Sequence, residues 1–429
     1  MFEKVFRAIA RPSSAAGATK PNRRFDRNSL WVCCIPLLAL TLLASSAVAN
    51  DTDLEVYGFI MMDAGYDFNQ VDRDWFDVLR TTKLPSFEDE FAPDGTTYFS
   101  ARQTRFGVRS MTPTDMGTLK TQFEWELFGT GVDAGQTTIR LRHAYGELGK
   151  VGAGQYWSPF MDIDVFPNTV EYWGPPGMAF FRNVQLRYMP IQGDTRMTIA
   201  LERPGASADL GDAAERIELG GVTPHFPLPD LSAEYRMGRD WGYLELAGIV
   251  RYMEWEDLDV DPGEADLSGD ATGWGLNLSS NIKASENDVL RLSALYGEGI
   301  ENYMNDAPAD VGVEFDEDDE DAPIEGVALP VLGLVAFLDH GWNEKFSTSI
   351  GYSMIDIDNS NGQNARAFHR GHYAIGNIAY YPVTNVMTVA ELQYGKRENF
   401  EAAAGESEAF TSDDLRVQFS FKYNFSHSL

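Results

Sequence analysis

Strict alternation between apolar and polar residues marks the C-terminal stretch Leu415–Phe425, whose sequence is LRVQFSFKYNF. Successive side chains of a β-strand point to opposite faces, so the stretch predicts a strand with one apolar face and one polar face. In a soluble sandwich the apolar face would lie in a core. In an outer-membrane barrel the apolar face meets lipid and the polar face lines a water-filled lumen.

The same alternation recurs along the chain and predicts about 16 strands. Predicted outward positions include Leu119, Phe123, Trp125 and Leu127; Leu231, Ala233, Tyr235 and Met237; Trp274, Leu276, Leu278 and Ile282; and Val386, Ala390, Leu392 and Tyr394. A soluble propeller or β-helix would show a sequence repeat, and none is evident. The predicted fold class is therefore all-β, a transmembrane antiparallel β-barrel.

The predicted connections alternate in length, as in bacterial outer-membrane barrels with short periplasmic turns and long external loops. Short connections rich in Pro, Gly, Asn and Asp fall near 113–117, 149–150, 190–194, 238–241, 285–288, 339–343 and 381–385. Longer polar connections fall near 69–95, 129–136, 158–181, 203–229, 256–270, 301–326, 357–366 and 398–410. The pattern predicts a single barrel domain over residues 50–429.

Residues 1–49 predict a cleaved signal peptide. Basic residues populate the first part, the apolar run Leu30–Ala44 follows, and Ala47-Val48-Ala49 provides a small-residue cleavage pattern. Both cysteines, Cys33 and Cys34, lie in this segment, so the mature chain is expected to lack disulfides and thiolate metal sites. Export to the outer membrane follows, with membrane lipid and lipopolysaccharide as expected partners.

The mature chain is strongly acidic. The full chain has 34 Lys and Arg and 65 Asp and Glu, of which seven basic and two acidic residues lie in residues 1–49. The remaining net charge is about −36. Binding to nucleic acid needs a basic surface, so nucleic acid is not an expected partner.

Several segments resemble the DcaP-like family of trimeric outer-membrane porins. They are Ala101–Val108 (ARQTRFGV), Thr114–Gly129 (TDMGTLKTQFEWELFG), Leu141–Leu148 (LRHAYGEL), Gly154–Asp162 (GQYWSPFMD) and Gly174–Tyr188 (GPPGMAFFRNVQLRY). The resemblance covers the first third of the barrel, and the remainder matches in pattern. It implies a passive diffusion channel that favours small anions, notably dicarboxylates, and a homotrimer.

Arginines of inward parity are the main candidate site. Strand parity places Arg105, Arg109, Arg140, Arg142, Arg187, Arg196 and Arg236 toward the lumen on neighbouring strands. Guanidinium groups bind carboxylates in bidentate geometry, and rings of Arg or Lys make a pore favour anions. The alternative is that these arginines pair with the inward acids Glu124, Glu126 and Glu234. Arg102 shares the parity of Phe106, which predicts that it points to lipid or to a partner subunit.

The third long connection, residues 158–181, is the predicted constriction loop. In 16-stranded porins the corresponding loop folds into the lumen. Here it carries Asp162, Asp164 and Glu171, which we expect to face the arginines and create a transverse field. The alternative is an external loop that happens to be acidic.

The acidic run Asp316–Asp321 could hold calcium loosely through Asp316, Asp318, Asp319 and Asp321, because Ca²⁺ takes carboxylate oxygens. The run lacks the spaced ligands and turn glycine of a calcium loop, which favours a solvated charge run. No other metal site and no cofactor are expected. The six histidines are scattered and no Ser/His pair is placed, so no enzymatic activity is expected.

Two functions remain open from the sequence. The first is a porin for small hydrophilic solutes. The second is a surface-exposed barrel that binds a partner or serves a structural role without an open channel. The loops are moderate rather than domain-sized, which favours the porin.

Overall fold

The computed structural model describes residues 52–205, 216–258, 260, 266–315 and 324–429. Its strands are β1 Asp53–Asp67, β2 Thr96–Ser100, β3 Arg105–Thr114, β4 Gly117–Phe128, β5 Thr137–Leu148, β6 Val151–Trp157, β7 Arg182–Ile191, β8 Arg196–Glu202, β9 Val222–His225, β10 Asp230–Arg239, β11 Gly242–Asp257, β12 Gly269–Lys283, β13 Asp288–Glu298, β14 Val311–Phe315, β15 Ile324–Ala328, β16 Pro330–Asn343, β17 Phe346–Ile357, β18 Phe368–Tyr380, β19 Val386–Asn399 and β20 Thr411–Ser428. Neighbouring strands pair antiparallel throughout.

The strands close into a ring of 16. β2 and β3 act as one interrupted strand opposite β1, and β9 and β10 do the same opposite β11. β1 and β20 close the ring, with a register that runs from Glu55↔Ser428 to Asp67↔Arg416. β14 and β15 form a separate hairpin. The predicted antiparallel barrel of about 16 strands is confirmed.

Short 3-10 helices occupy several long connections. They are Arg73–Trp75, Thr81–Lys83, Gly131–Asp133, Ile163–Val165 and Glu301–Tyr303. Across the described ranges, no helix has the length and apolarity needed to cross a membrane.

The strands of the ring show the predicted alternation of outward and inward side chains. On β12, Leu276 and Leu278 are 52% and 47% exposed, whereas Asn277 and Ser279, which alternate with them, are buried. On β20, Phe419 is 61% exposed while Arg416 and Gln418 are fully buried. The exterior is therefore apolar and the interior polar, which is stable only where the exterior meets lipid or another apolar surface.

Three long connections fold into the ring. These are the first connection (residues 68–95), the third (158–181) and the described parts of the sixth (299–315 and 324–329), and each buries apolar side chains there, such as Leu79, Phe160 and Tyr303. The sequence singled out only the third as entering the lumen, so the inward course of the first and sixth connections was not predicted. Alternation along the strands gives no information about the loops. The apolar side chains of these loops are buried when the loop packs inside the barrel.

Two sequence predictions fall outside the described residues. They are the signal peptide at 1–49 and the candidate calcium run with Asp316, Asp318, Asp319 and Asp321.

The outward face generates a stability prediction. We expect Leu276→Arg to lower the free energy of unfolding in lipid vesicles by about 2–4 kcal/mol, because an arginine on the lipid face must leave water. Leu276→Ala is the matched control, since it shortens the side chain without adding charge, and its cost should be clearly smaller. Denaturant titration of both variants in vesicles measures the difference. Equal stability of Leu276→Arg and the unmodified protein would contradict a lipid-facing position.

Candidate functional site

A cavity of about 310 Å³ lies inside the ring, between the third connection and the barrel wall. Five cations of the wall line it, Arg105, Arg140, Arg142, Arg182 and Lys422. The loop side contributes Phe166, Thr169, Glu171, Tyr172, Trp173 and Phe180. We call this cavity the eyelet.

Glu126 on β4 organises the arginines of the eyelet. Its side chain is fully buried. Glu126 Oε2 lies 3.0 Å from Arg105 Nη2 and 2.9 Å from Arg142 Nη1. Glu126 Oε1 lies 3.8 Å from Arg140 Nη1 and 3.9 Å from Arg182 Nη1. One carboxylate therefore gathers four guanidinium groups from three strands.

Two further contacts complete this cluster. Arg142 Nε donates to Glu124 Oε1 at 2.7 Å, and the Tyr172 hydroxyl of the third connection donates to Glu126. Five cations line the eyelet together with Glu171, and the carboxylates Glu124 and Glu126 contact those cations, which makes five positive charges against three negative ones. The excess of positive charge lies inside the barrel among buried side chains, where the effective dielectric constant is lower than in bulk water, so it is less screened.

Arg196 and Arg236 have a different environment. Arg236 lies 2.6 Å from Asp162, 2.5 Å from Asp164 and 2.5 Å from Glu245. Arg196 lies 3.1 Å from both Glu234 and Glu245. Each guanidinium is matched by at least two carboxylates and lies outside the eyelet lining. These two arginines therefore tie strands and the third connection together.

The remaining predicted arginines, Arg109 and Arg187, also lie away from the eyelet. Arg109 is half-exposed and pairs with Glu55 at 2.6 Å. Arg187 is buried, donates to Gln185 Oε1 at 3.0 Å, and stacks 5.0 Å from the Tyr156 ring centroid. The structure thus brings Arg105, Arg140 and Arg142 together and separates them from the other four.

The acids of the third connection anchor it across the lumen. Asp162 accepts hydrogen bonds from Tyr243 at 2.6 Å and Ser279 at 2.7 Å, in addition to its pair with Arg236. Glu171 accepts from the backbone nitrogens of Leu79, Trp173 and Gly174 and from the Tyr373 hydroxyl. Burial raises the pKa of Glu171, and these hydrogen bonds oppose the rise. Asp162 and Asp164 therefore face one of the predicted arginines, Arg236, whereas Glu171 is held by backbone nitrogens and a tyrosine hydroxyl.

Close backbone contact fixes the far side of the same connection. Gly177 lies against β16 and β17, and a Cβ at this position would be only 2.0 Å from the Met354 carbonyl oxygen. The Gly177 backbone nitrogen donates to Ser353 Oγ at 3.0 Å. Only glycine allows this approach, so the loop is held at both the acid-bearing segment and the glycine.

Sequence reasoning missed two cations of the eyelet. Lys422 has inward parity in the alternating C-terminal stretch, so the pattern contained the signal. Arg182 shares the parity of the outward Val184, but it is the first residue of β7 and is buried. At a strand end the ladder no longer dictates side-chain direction, so parity could not identify Arg182.

The outward prediction for Arg102 is wrong. The chain is interrupted between β2 and β3, which breaks the parity count from Phe106. Arg102 is buried, lies 2.5 Å from Asp77, and its guanidinium carbon is 3.8 Å from the Phe128 ring centroid.

A second cluster joins the first, third and sixth connections, and we call it the clasp. Asp306 accepts from Arg80 Nε at 3.0 Å and from the Thr82 backbone nitrogen at 3.0 Å. The Arg80 guanidinium carbon lies 4.2 Å and 4.0 Å from the ring centroids of Trp75 and Trp173. Trp173 and the neighbouring Asn305 both line the eyelet, so the clasp borders it.

Metal ligation has no candidate in the part of the chain that the structure describes. There, no group of three or more His, Cys, Asp or Glu residues is arranged to hold an ion. The chemistry of the eyelet is therefore that of fixed cations and aromatic rings.

Comparison with known proteins shows that this chain is similar to outer-membrane channels and porins. The family model of the DcaP outer membrane protein matches residues 43–423. The crystal structure of the outer membrane channel DcaP of Acinetobacter baumannii has a TM-score of 0.70 at 21% identity, and the match covers 89% of this chain and 100% of that chain. The anion-selective porin from Comamonas acidovorans has a TM-score of 0.54 at 10% identity, covering 87% and 100%.

OmpT of Vibrio cholerae, in its trimer form, has a TM-score of 0.52 at 11% identity, with coverage of 87% of this chain and 99% of that chain. No curated protein gives a significant sequence match. At these identities the solved structures show the fold.

The clasp generates a prediction about the first connection. We expect Asp306→Asn to weaken its docking by about 1.5–3 kcal/mol, because a charge-assisted hydrogen bond is lost and Arg80 stays buried. Trypsin should then cleave after Arg80 or Lys83 at least tenfold faster, and single-channel conductance should rise. Asp358→Asn is the matched control, since this exposed loop carboxylate lies outside the clasp. Unchanged cleavage in Asp306→Asn would show that the clasp does not hold the connection.

Proposed function

The chain belongs to the DcaP outer membrane protein family, and from that premise we propose that it is a porin through which small anions diffuse passively. Small dicarboxylates are the proposed preferred solutes. The proposal involves no chemical step and no cofactor. Its solute path runs through the eyelet.

The observation that most supports anion conduction is the excess of cations in the eyelet. Arg105, Arg140, Arg142, Arg182 and Lys422 line one cavity. Guanidinium groups bind carboxylates with two parallel hydrogen bonds, and they remain charged at all relevant pH values. Because the cations come from several strands around the cavity, a solute with two carboxylates can contact two of them at once.

The negative charge of the whole chain opposes this proposal at long range. Exposed acids act over a Debye length of about 8 Å at physiological salt, beyond which ions screen them. Inside the eyelet, the local cations are closer to a passing solute than the external acids and are less screened. We therefore expect the local charge to set the selectivity.

The alternative is a surface-exposed barrel without open-channel activity. The first and sixth connections, which fold over the lumen and meet in the clasp, are the observation that favours it. Single-channel recording on the purified protein separates the two functions. Stepwise conductance supports the porin, whereas silence across many insertions supports the alternative.

The arginines generate a selectivity prediction. We expect the unmodified channel to be anion-selective, and Arg140→Gln combined with Arg142→Gln to lower the anion-to-cation permeability ratio several-fold. The double substitution removes two positive charges, which equals the excess of five cations over three carboxylates. Reversal potentials in a potassium chloride gradient measure the ratio.

Arg109→Gln provides the matched control, because Arg109 faces the lumen but lies outside the eyelet lining. Its permeability ratio should stay close to that of the unmodified channel. Cation selectivity of the unmodified channel would refute the proposal. An unchanged ratio in the double variant would mean that these arginines serve only the packing of the wall.

We also propose a homotrimer, since the similar OmpT structure is described as a trimer. Native mass spectrometry in mild detergent should give three times the subunit mass, and chemical cross-linking should stop at the trimer. A monomer as the sole species in both measurements would refute the assembly without affecting the channel proposal.

A further inference from the structure

Lys422 differs from the arginines of the eyelet in its counter-charges. Each of the four arginines has a nitrogen within 4 Å of a Glu126 oxygen. Lys422 Nζ makes no ion pair and no hydrogen bond with any residue that the structure describes, although the side chain lines the eyelet. The next inward acid on β1 is Asp63, and its carboxylate accepts hydrogen bonds from Gln103, Gln418 and Ser420.

The contact that Lys422 does make is with an aromatic ring. Lys422 Nζ lies 4.0 Å from the ring centroid of Phe59, and the guanidinium carbon of Arg105 lies 5.2 Å from the same centroid. Two cations therefore flank one ring. The ring quadrupole attracts each of them, but the two positive charges repel each other in a poorly hydrated space.

The positions of these three residues are set by adjacent strands. Phe59 on β1 is in register with Arg105 on β3, and with Asn424 on β20. Lys422 is two residues from Asn424 on the same lumen-facing side of β20. The pair of cations is thus built into the strand register at the closure of the barrel and does not depend on a loop.

We propose that Lys422 and Arg105, beside the Phe59 ring, form a carboxylate-binding subsite of the eyelet, and that Lys422 is the main determinant of anion selectivity. This inference rests on the proposed anion conduction. A carboxylate in the eyelet that contacts both cations offsets their repulsion and gives Lys422 an ion pair, which no described residue provides. Glu124 and Glu126 offset part of the arginine charge at contact distance. No described carboxylate lies within ion-pair distance of Lys422, so a solute carboxylate meets less competition there.

The test uses Lys422→Gln in planar bilayers. Reversal potentials in potassium chloride measure selectivity, and block of the chloride current by added succinate and by added acetate measures carboxylate binding. We expect the anion-to-cation permeability ratio to fall at least as far as in the Arg140→Gln, Arg142→Gln double variant. Succinate and acetate should each need about tenfold higher concentration for half-block, because one charge-assisted contact is lost.

Lys120→Gln is the matched control. Lys120 is also a lumen-facing lysine, but it pairs with Glu147 at 2.6 Å and lies outside the eyelet lining. The control loses the same charge and should change both readouts little. Lys422→Arg keeps the charge and should retain selectivity. Heat-modifiable migration on gels verifies that each variant is a folded barrel before recording.

The outcomes separate this inference from the proposed function. A silent or cation-selective unmodified channel refutes anion conduction itself. An anion-selective unmodified channel, together with folded Lys422→Gln that keeps its selectivity and its succinate block, overturns the role of Lys422 and leaves the porin standing. Equal effects of Lys422→Gln and Lys120→Gln would also overturn it, because total lumen charge would then suffice.

Discussion

The pairing of every backbone polar group is the constraint on which this structure depends. Lipid offers no hydrogen bonds, so a sheet within a membrane must have no free edge. Pairing of β1 with β20 satisfies this requirement by closing the ring. Closure then forces each strand to present one face to lipid and the other to the lumen. The charged groups on the lumen-facing side of the strands must consequently be accommodated in a narrow interior.

Crowding of charge in that interior explains why one acid has so many partners. Glu126 is fully buried and lies among four arginines. A buried carboxylate is tolerated only with paired charges and hydrogen bonds, and here both are present. The same acid holds cations from separate strands around one cavity. Structural pairing and an excess of positive charge thus coexist, because the cations of the eyelet outnumber its carboxylates.

The lumen also shows how inserted loops acquire fixed positions. Asp162 and Glu171 bind groups on the opposite wall, and Gly177 fits directly against strand backbone. The acids that suggest a transverse field in the sequence are used as anchors. The Arg80–Asp306 clasp adds a cover made from two further connections. Solute access is therefore shaped by loop docking as much as by the strands.

The barrel, its strand number and the face of most strand side chains could be predicted from the amino-acid sequence, because a two-residue period and turn residues are local properties. Inward parity predicts lumen positions for Arg105 and Arg142, but parity gives no distances. Only the tertiary structure decided that Arg236 is neutralised by loop acids and that Arg182 and Arg102 turn inward. These outcomes depend on contacts between residues far apart in the chain, which an alternation pattern does not encode.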